Sequence, residues 1–262
     1  MKEVYLDSKR NSKIHAYINT TSNKGGLLVF AHSFKGEASE DNRFTNLANL
    51  LADSGINSIR MEFPGSINSF EDDKNYSIGN CLDDLDICVN YMFDNYDIDH
   101  NHLGLLGYSM GGRIVSLYAL SHPEFNMTVL WAPCDKVFTK DELFLEQSIN
   151  DLINQEGDYI NFYDIFNKVN CIFPKQFAYD LIDTSISKFN EYKGNVLIIH
   201  GKKDTTIDIT ESEKLLNSFI YKDNKSLYAM DEADHGFGLW DGRIEDTNEL
   251  LRVSENYIKN NL

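Results

Sequence analysis

The sequence predicts an α/β protein, a mostly parallel central sheet flanked by helices, with one folded insertion. Three observations predict it. Short apolar runs alternate with amphipathic stretches along most of the 262 residues. The runs lack polar alternation, which is the pattern of strands covered on both faces. One interval, residues 134–193, is far longer than a crossover and breaks the alternation.

Taken in order, Glu3–Leu6 and Lys13–Ile18 read as an antiparallel pair at one edge of the sheet. Leu27–Ala31 is the first buried strand. Ile56–Met61, Leu103–Leu106, Met127–Trp131, Val196–Ile199 and Ser226–Met230 follow. Between them, Phe44, Leu47, Leu50 and Leu51 keep helical spacing. Cys81, Leu85, Cys88, Val89 and Met92 form an i, i+4, i+7, i+8, i+11 stripe. Ile114, Leu117 and Tyr118 start another helix, Asp208 reads as an N-cap for 209–219, and Thr247–Ile258 closes the chain. Strand–helix alternation at this spacing needs crossover connections and so a parallel sheet. Residues 1–133 and 194–262 then form the core. The interval 134–193 carries all eleven Phe and Tyr residues found in 133–193. Disordered linkers are poor in aromatics, so this is a folded insertion, and a helical one is expected.

Composition excludes several functions. Lys and Arg number 24 against 41 Asp and Glu, a net charge of −17. Such a chain repels phosphate backbones, and its longest basic clusters are Lys9-Arg10 and Lys202-Lys203. Cys81, Cys88, Cys134 and Cys171 form no C-x-x-C pair, so buried free thiols are expected rather than a metal or disulfide cluster. The first twenty residues hold no apolar signal-peptide segment, and no apolar run is long enough to span a membrane. A cytoplasmic location is the expectation.

The chemistry centres on Gly107-Tyr108-Ser109-Met110-Gly111-Gly112. A G-x-S-x-G match alone is weak. Between an apolar strand and an amphipathic helix it reads as a sharp turn that projects Ser109 above the sheet, at the positive end of the helix. A serine hydroxyl needs a base. Of the seven histidines, His235 in Asp234-His235-Gly236-Phe237 follows the last strand and can reach across the sheet top. His15, His100, His102 and His122 lie in edge or polar segments, and His200 packs at a strand end. The base needs an acid. Asp204, in His200-Gly201-Lys202-Lys203-Asp204, is preferred over Asp208 and Asp135. The oxyanion donors expected are the amides of Met110, which follows the nucleophile, and Phe34, in His32-Ser33-Phe34-Lys35-Gly36. Trp131, Phe138 and Phe237 are the candidate substrate contacts.

These segments, with Arg60-Met61-Glu62-Phe63-Pro64-Gly65, resemble the α/β-hydrolase superfamily over most of the chain, in the expected order Ser109, Asp204, His235. Within it the pattern is similar to the cinnamoyl (feruloyl) esterase-like and serine-aminopeptidase-like branch. The resemblance implies an α/β-hydrolase fold with 134–193, a helical or hairpin insertion in that branch, as a cap over the active site. Two loops depart from the family: His32-Ser33 stands where His-Gly is usual, and Gly65-Ser66-Ile67-Asn68-Ser69 lacks a second glycine. The activity implied is a serine carboxylesterase, for hydroxycinnamoyl or medium-chain acyl esters, acting through an acyl-enzyme. It needs no metal or organic cofactor. Its partner is a small-molecule ester, with no nucleic acid and no membrane; a homodimer is left open. The alternatives are a peptidase, thioesterase or amidase on the same fold, and a non-catalytic ligand-binding lookalike. A dehalogenase would need Asp, and a dienelactone hydrolase Cys, where Ser109 stands.

Overall fold

The structure is a computed structural model, and residues 1–21, 24–165 and 168–262 are described. Phe166, one of the aromatic residues of the insertion, lies outside the described residues. The chain runs β1 (Lys2–Asp7), β2 (Lys13–Asn19), β3 (Gly25–Ala31), α1 (Arg43–Ala52), β4 (Ile56–Met61), α2 (Ile78–Asn95), β5 (Ile98–Tyr108), α3 (Met110–Ser121) and β6 (Met127–Trp131). The insertion holds β7 (Leu143–Phe144), β8 (Gln147–Ser148), α4 (Ile149–Ile153), β9 (Tyr159–Asp164), β10 (Val169–Pro174) and α5 (Lys175–Leu181). The chain then returns through β11 (Asn195–Gly201), α6 (Ile209–Ser218), β12 (Lys225–Met230) and α7 (Ile244–Asn261).

Among the described residues, one eight-stranded sheet has the order β1-β2-β4-β3-β5-β6-β11-β12. β1 and β2 pair antiparallel, as do β2 and β4. The pairs from β4 through β12 are parallel. This is the α/β-hydrolase fold. β3 lies between β4 and β5, so the chain order reverses there, and the crevice at the carboxyl ends of the strands opens beside β3 and β5.

The central strands are covered on both faces, which is why β3, β6 and β11 read as near-continuous apolar runs. On one face Leu27, Val29, Ile59 and Leu105 pack under α2 and α3, and the α2 stripe from Cys81 to Met92 is buried. Each such side chain contributes about 1.5–3 kcal/mol by leaving water. On the other face Leu28, Phe30 and Val129 meet Phe44 and Leu47 of α1 and Leu250 and Ile258 of α7. The four cysteines are free and buried. Asp208 caps α6, accepting from the Thr210 amide at 2.9 Å.

The insertion differs from the helical expectation. It is built on two antiparallel hairpins, β7–β8 and β9–β10, with only short helices, among them a 3-10 segment at Thr184–Glu191. β9 shows the reason. Its residues alternate outward and inward, with Ile160, Phe162 and Asp164 buried and Tyr159 and Tyr163 exposed. That period of two is a strand signal which aromatic content alone hides. Phe144, Phe162, Phe173 and Phe177 belong to the same apolar cluster as the α2–α3 face of the sheet. The insertion therefore shares the core rather than forming its own.

Candidate active site

Ser109 sits between β5 and α3 with φ 53° and ψ −117°, a strained conformation for a residue with a side chain. Close packing enforces it. The Ser109 amide donates to Trp131 O at 2.8 Å, and its carbonyl accepts from Gly112 and Cys134 at 2.9 and 3.0 Å. The flanking glycines leave no room for a side chain: a Cβ on Gly107 would lie 2.3 Å from Gly111 O, and one on Gly111 would lie 2.0 Å from Ala31 O.

The structure brings Ser109, His235 and Asp204 into one line. Ser109 Oγ lies 3.1 Å from His235 Nε2, and His235 Nδ1 lies 2.6 Å from Asp204 Oδ2. A carboxylate only accepts, so Nδ1 carries the proton toward Asp204 and Nε2 is free to accept from the serine hydroxyl. Asp204 Oδ1 accepts from the Thr206 and Ile207 amides, each at 2.8 Å. Burial opposes ionisation of Asp204, but the bonds from His200 and His235 outweigh it and hold the carboxyl well below the usual carboxylate range. Asp135, the rival acid, faces elsewhere and accepts from Ser116 Oγ at 2.6 Å.

The other side of the crevice is the loop after β3. Gly36 N–H donates to Ser33 O at 3.0 Å, closing a tight turn. Among the described residues, the Phe34 and Met110 amides take no protein acceptor. His32, Glu40 and Arg43 are among the groups that hold this loop, and sequence reasoning missed the last two. His32 donates from Nδ1 to Ser33 O at 2.7 Å and accepts at Nε2 from the Phe63 amide at 3.0 Å, tying β3 to β4. Glu40, almost wholly buried, accepts from the Ser33 amide at 2.9 Å and the Ser33 hydroxyl at 2.7 Å. Burial pushes the Glu40 carboxyl up from its ordinary range, against the pull of Arg43, His32 and Ser33. Arg43 lies beside Glu40 at 3.7 Å and stacks over the Tyr108 ring at 4.9 Å. The Tyr108 hydroxyl in turn donates to His235 O at 2.8 Å. No motif marks Glu40 or Arg43. The only signal was two opposite charges three residues apart beside an apolar helix.

The candidate substrate contacts divide. Trp131 and Phe237 have no exposed surface, which corrects their assignment. Trp131 points to the α7 face, where its indole N–H donates to Ser254 Oγ at 2.9 Å, and Phe237 packs in that same core. Phe138 lies in the insertion, 6.4 Å from the Phe144 ring. The Phe34 ring is the centre of an aromatic cluster, with Tyr76, Phe144, Phe173 and Phe177 at 5.3–5.6 Å. Trp240, half exposed, lies 5.8 Å from the His235 ring.

Known structures share this architecture. The esterase Est1E of Butyrivibrio proteoclasticus, solved with ferulic acid bound, matches with a TM-score of 0.77 and 17% identity over 98% of each chain. A monoacylglycerol lipase of Paleococcus ferrophilus matches at 0.73 and 16%, over 95% of this chain and 99% of its own. An esterase of Exiguobacterium antarcticum matches at 0.68 and 19%, over 98% and 100%. No curated protein sequence matches significantly. The prolyl oligopeptidase family matches residues 42–261, a span that includes Ser109, Asp204 and His235. The chain, an α/β-hydrolase in fold, belongs to the prolyl oligopeptidase family.

Proposed function

We propose that the chain is a serine hydrolase that cleaves carboxylic esters. The observation that carries this reading is the unbroken line from Ser109 Oγ through His235 to Asp204. His235 Nε2 takes the serine proton as Oγ attacks the ester carbonyl. The Phe34 and Met110 amides receive the developing oxyanion. The C–O bond to the alcohol breaks and His235 returns its proton to that oxygen. Water, deprotonated by the same imidazole, then attacks the acyl-enzyme, releases the acid and restores Ser109.

The reading further takes 134–193 as a cap. Its aromatic rings, gathered on Phe34 beside the proposed oxyanion donor, favour an apolar or phenolic acyl group. The family match favours a second reading, a peptidase. A site that trims N-termini needs a carboxylate for the ammonium. Glu146, Asp151, Glu156 and Asp158 are exposed on the insertion surface, and Glu142 is paired with Lys136 at 2.9 Å.

Hydrolysis of p-nitrophenyl esters from acetate to laurate, with methyl ferulate and an aminoacyl-nitroanilide alongside, tests the proposal in wild type and Ser109→Ala. Ester turnover is expected, and it falls by several orders of magnitude in the folded variant. Nitroanilide cleavage without ester preference would establish the peptidase, and turnover that survives in Ser109→Ala would remove the nucleophile.

A further inference from the structure

We propose that His200 is a positioning residue for the reaction, sharing with His235 the single carboxylate oxygen by which Asp204 orients the catalytic base. His200 is the penultimate residue of β11 and has no exposed surface. Its Nε2 lies 3.0 Å from Asp204 Oδ2 and 2.9 Å from Ile207 O, and its Nδ1 lies 2.7 Å from Ser212 Oγ on α6. Both Nε2 neighbours are acceptors, so Nε2 carries the proton and Nδ1 accepts from the Ser212 hydroxyl. One oxygen, Asp204 Oδ2, thus receives two imidazole donors, from His200 at 3.0 Å and from His235 at 2.6 Å.

Two donors on one oxygen compete, because each withdraws the electron density the other uses. His200 therefore moderates the pull of Asp204 on His235. Without it the Asp204–His235 bond strengthens, protonated His235 is favoured, and the free base forms at higher pH. The other groups around this centre are the Thr206 and Ile207 amides on Asp204 Oδ1, Ser109 and the Tyr108 and Trp240 rings against His235, and the nearby Asp208 carboxylate. A histidine that only fills space needs neither a proton on Nε2 nor a hydroxyl on Nδ1.

The inference rests on the triad reading, and its test separates the two. The pH dependence of kcat/KM is measured with p-nitrophenyl acetate for wild type, His200→Leu, His200→Gln and Ser212→Ala, with folding checked by circular dichroism. In His200→Leu the acid limb moves up by about 0.5–1 pH unit. His200→Gln, whose amide N–H can reach the same oxygen, keeps the wild-type limb. Ser212→Ala leaves the imidazole in place but depolarises its N–H, and it moves the limb the same way by less. It also serves where His200→Leu fails to fold. A uniform loss of rate with the limb unmoved in these variants would reduce His200 to packing. Activity that survives in Ser109→Ala would instead overturn the triad reading itself.

Discussion

Arg43 Nη1 donates to the carbonyl of Gly236 at 2.8 Å, across 193 residues of sequence. Gly236 follows His235, and Arg43 is paired with Glu40, which holds Ser33 and so the loop that presents Phe34. One buried ion pair thus fixes the spacing between the proposed base and the proposed oxyanion donor.

Arg43→Met leaves Glu40 buried and unpaired, which costs about 3–5 kcal/mol. Turnover falls by about 100-fold, because the His235 loop loses its anchor. The double variant Glu40→Gln/Arg43→Met recovers most of the stability while its turnover stays low. Thermal melts and kcat/KM on the four proteins of this cycle decide the matter, and recovery of both quantities in the double variant would show that the pair does not position the loops.

Asp204→Asn lowers kcat by about 10³–10⁴-fold, since an amide neither stabilises the imidazolium nor holds its tautomer. Asp135→Asn keeps near wild-type kcat. The reverse ranking would move the acid to Asp135.

Asp135 also sets a slope of stability with pH. Burial pushes its carboxyl up to about 6 from an ordinary 3.8, against the Ser116 hydroxyl and Arg113. In the pH window of about 4 to 6 the folded chain keeps this proton and the unfolded chain has lost it, so stability falls as pH rises, by up to about 3 kcal/mol, and the loss is complete above. Asp135→Asn flattens this part of the Tm–pH curve and raises Tm at pH 7–8. An unchanged curve would show that the carboxyl ionises as freely in the folded chain as in the unfolded one.

Phe34→Ala separates backbone from ring. The amide persists, so acetate ester turnover continues. The missing ring opens space between Phe144, Phe173 and Phe177, costing up to about 3 kcal/mol in stability. Preference along the p-nitrophenyl ester series moves toward longer acyl chains. A profile of the same shape would place the acyl group elsewhere.

Arg113, four residues after Ser109, is fully buried and stitches both ends of the insertion to α3. Its Nη1 donates to Lys136 O and its Nη2 to Asp180 O, each at 2.6 Å. Arg113→Met releases these carbonyls, so limited proteolysis within 134–193 quickens and KM for bulky esters changes. Arg113→Lys does not rescue it, because one ammonium cannot replace the planar fork. Wild-type proteolysis in Arg113→Met would assign the anchoring to packing alone.

The strands were legible because burial on both faces leaves no polar alternation to interpret. The α2 stripe from Cys81 to Met92 was legible because one helix face meets the sheet. Ser109 stood out through the glycines that its turn requires. Trp131 and Phe237 were misread for a physical reason. An apolar residue at a strand end, like Trp131, or in the loop beyond one, like Phe237, looks the same in sequence whether its side chain enters the core or the crevice, and only the path of the backbone decides. Composition alone pointed to helix in the insertion, where the hairpins lie, because aromatic content says that a segment folds, while the period of two along β9 says how.

The sequence by itself determined the layered α/β architecture, the order of the strands along the chain, the turn that presents Ser109, and the segments that supply His235 and Asp204. These follow from local rules of periodicity, glycine placement and burial. Tertiary structure decided which carboxylate His235 meets, the second histidine on that same oxygen, and the bond from Arg43 to Gly236. The first and the last join segments beyond the carboxyl ends of different strands, and His200, four residues before Asp204, shares an oxygen with His235 only because the first is made. Their distances depend on sheet order and twist, which no local window of sequence contains.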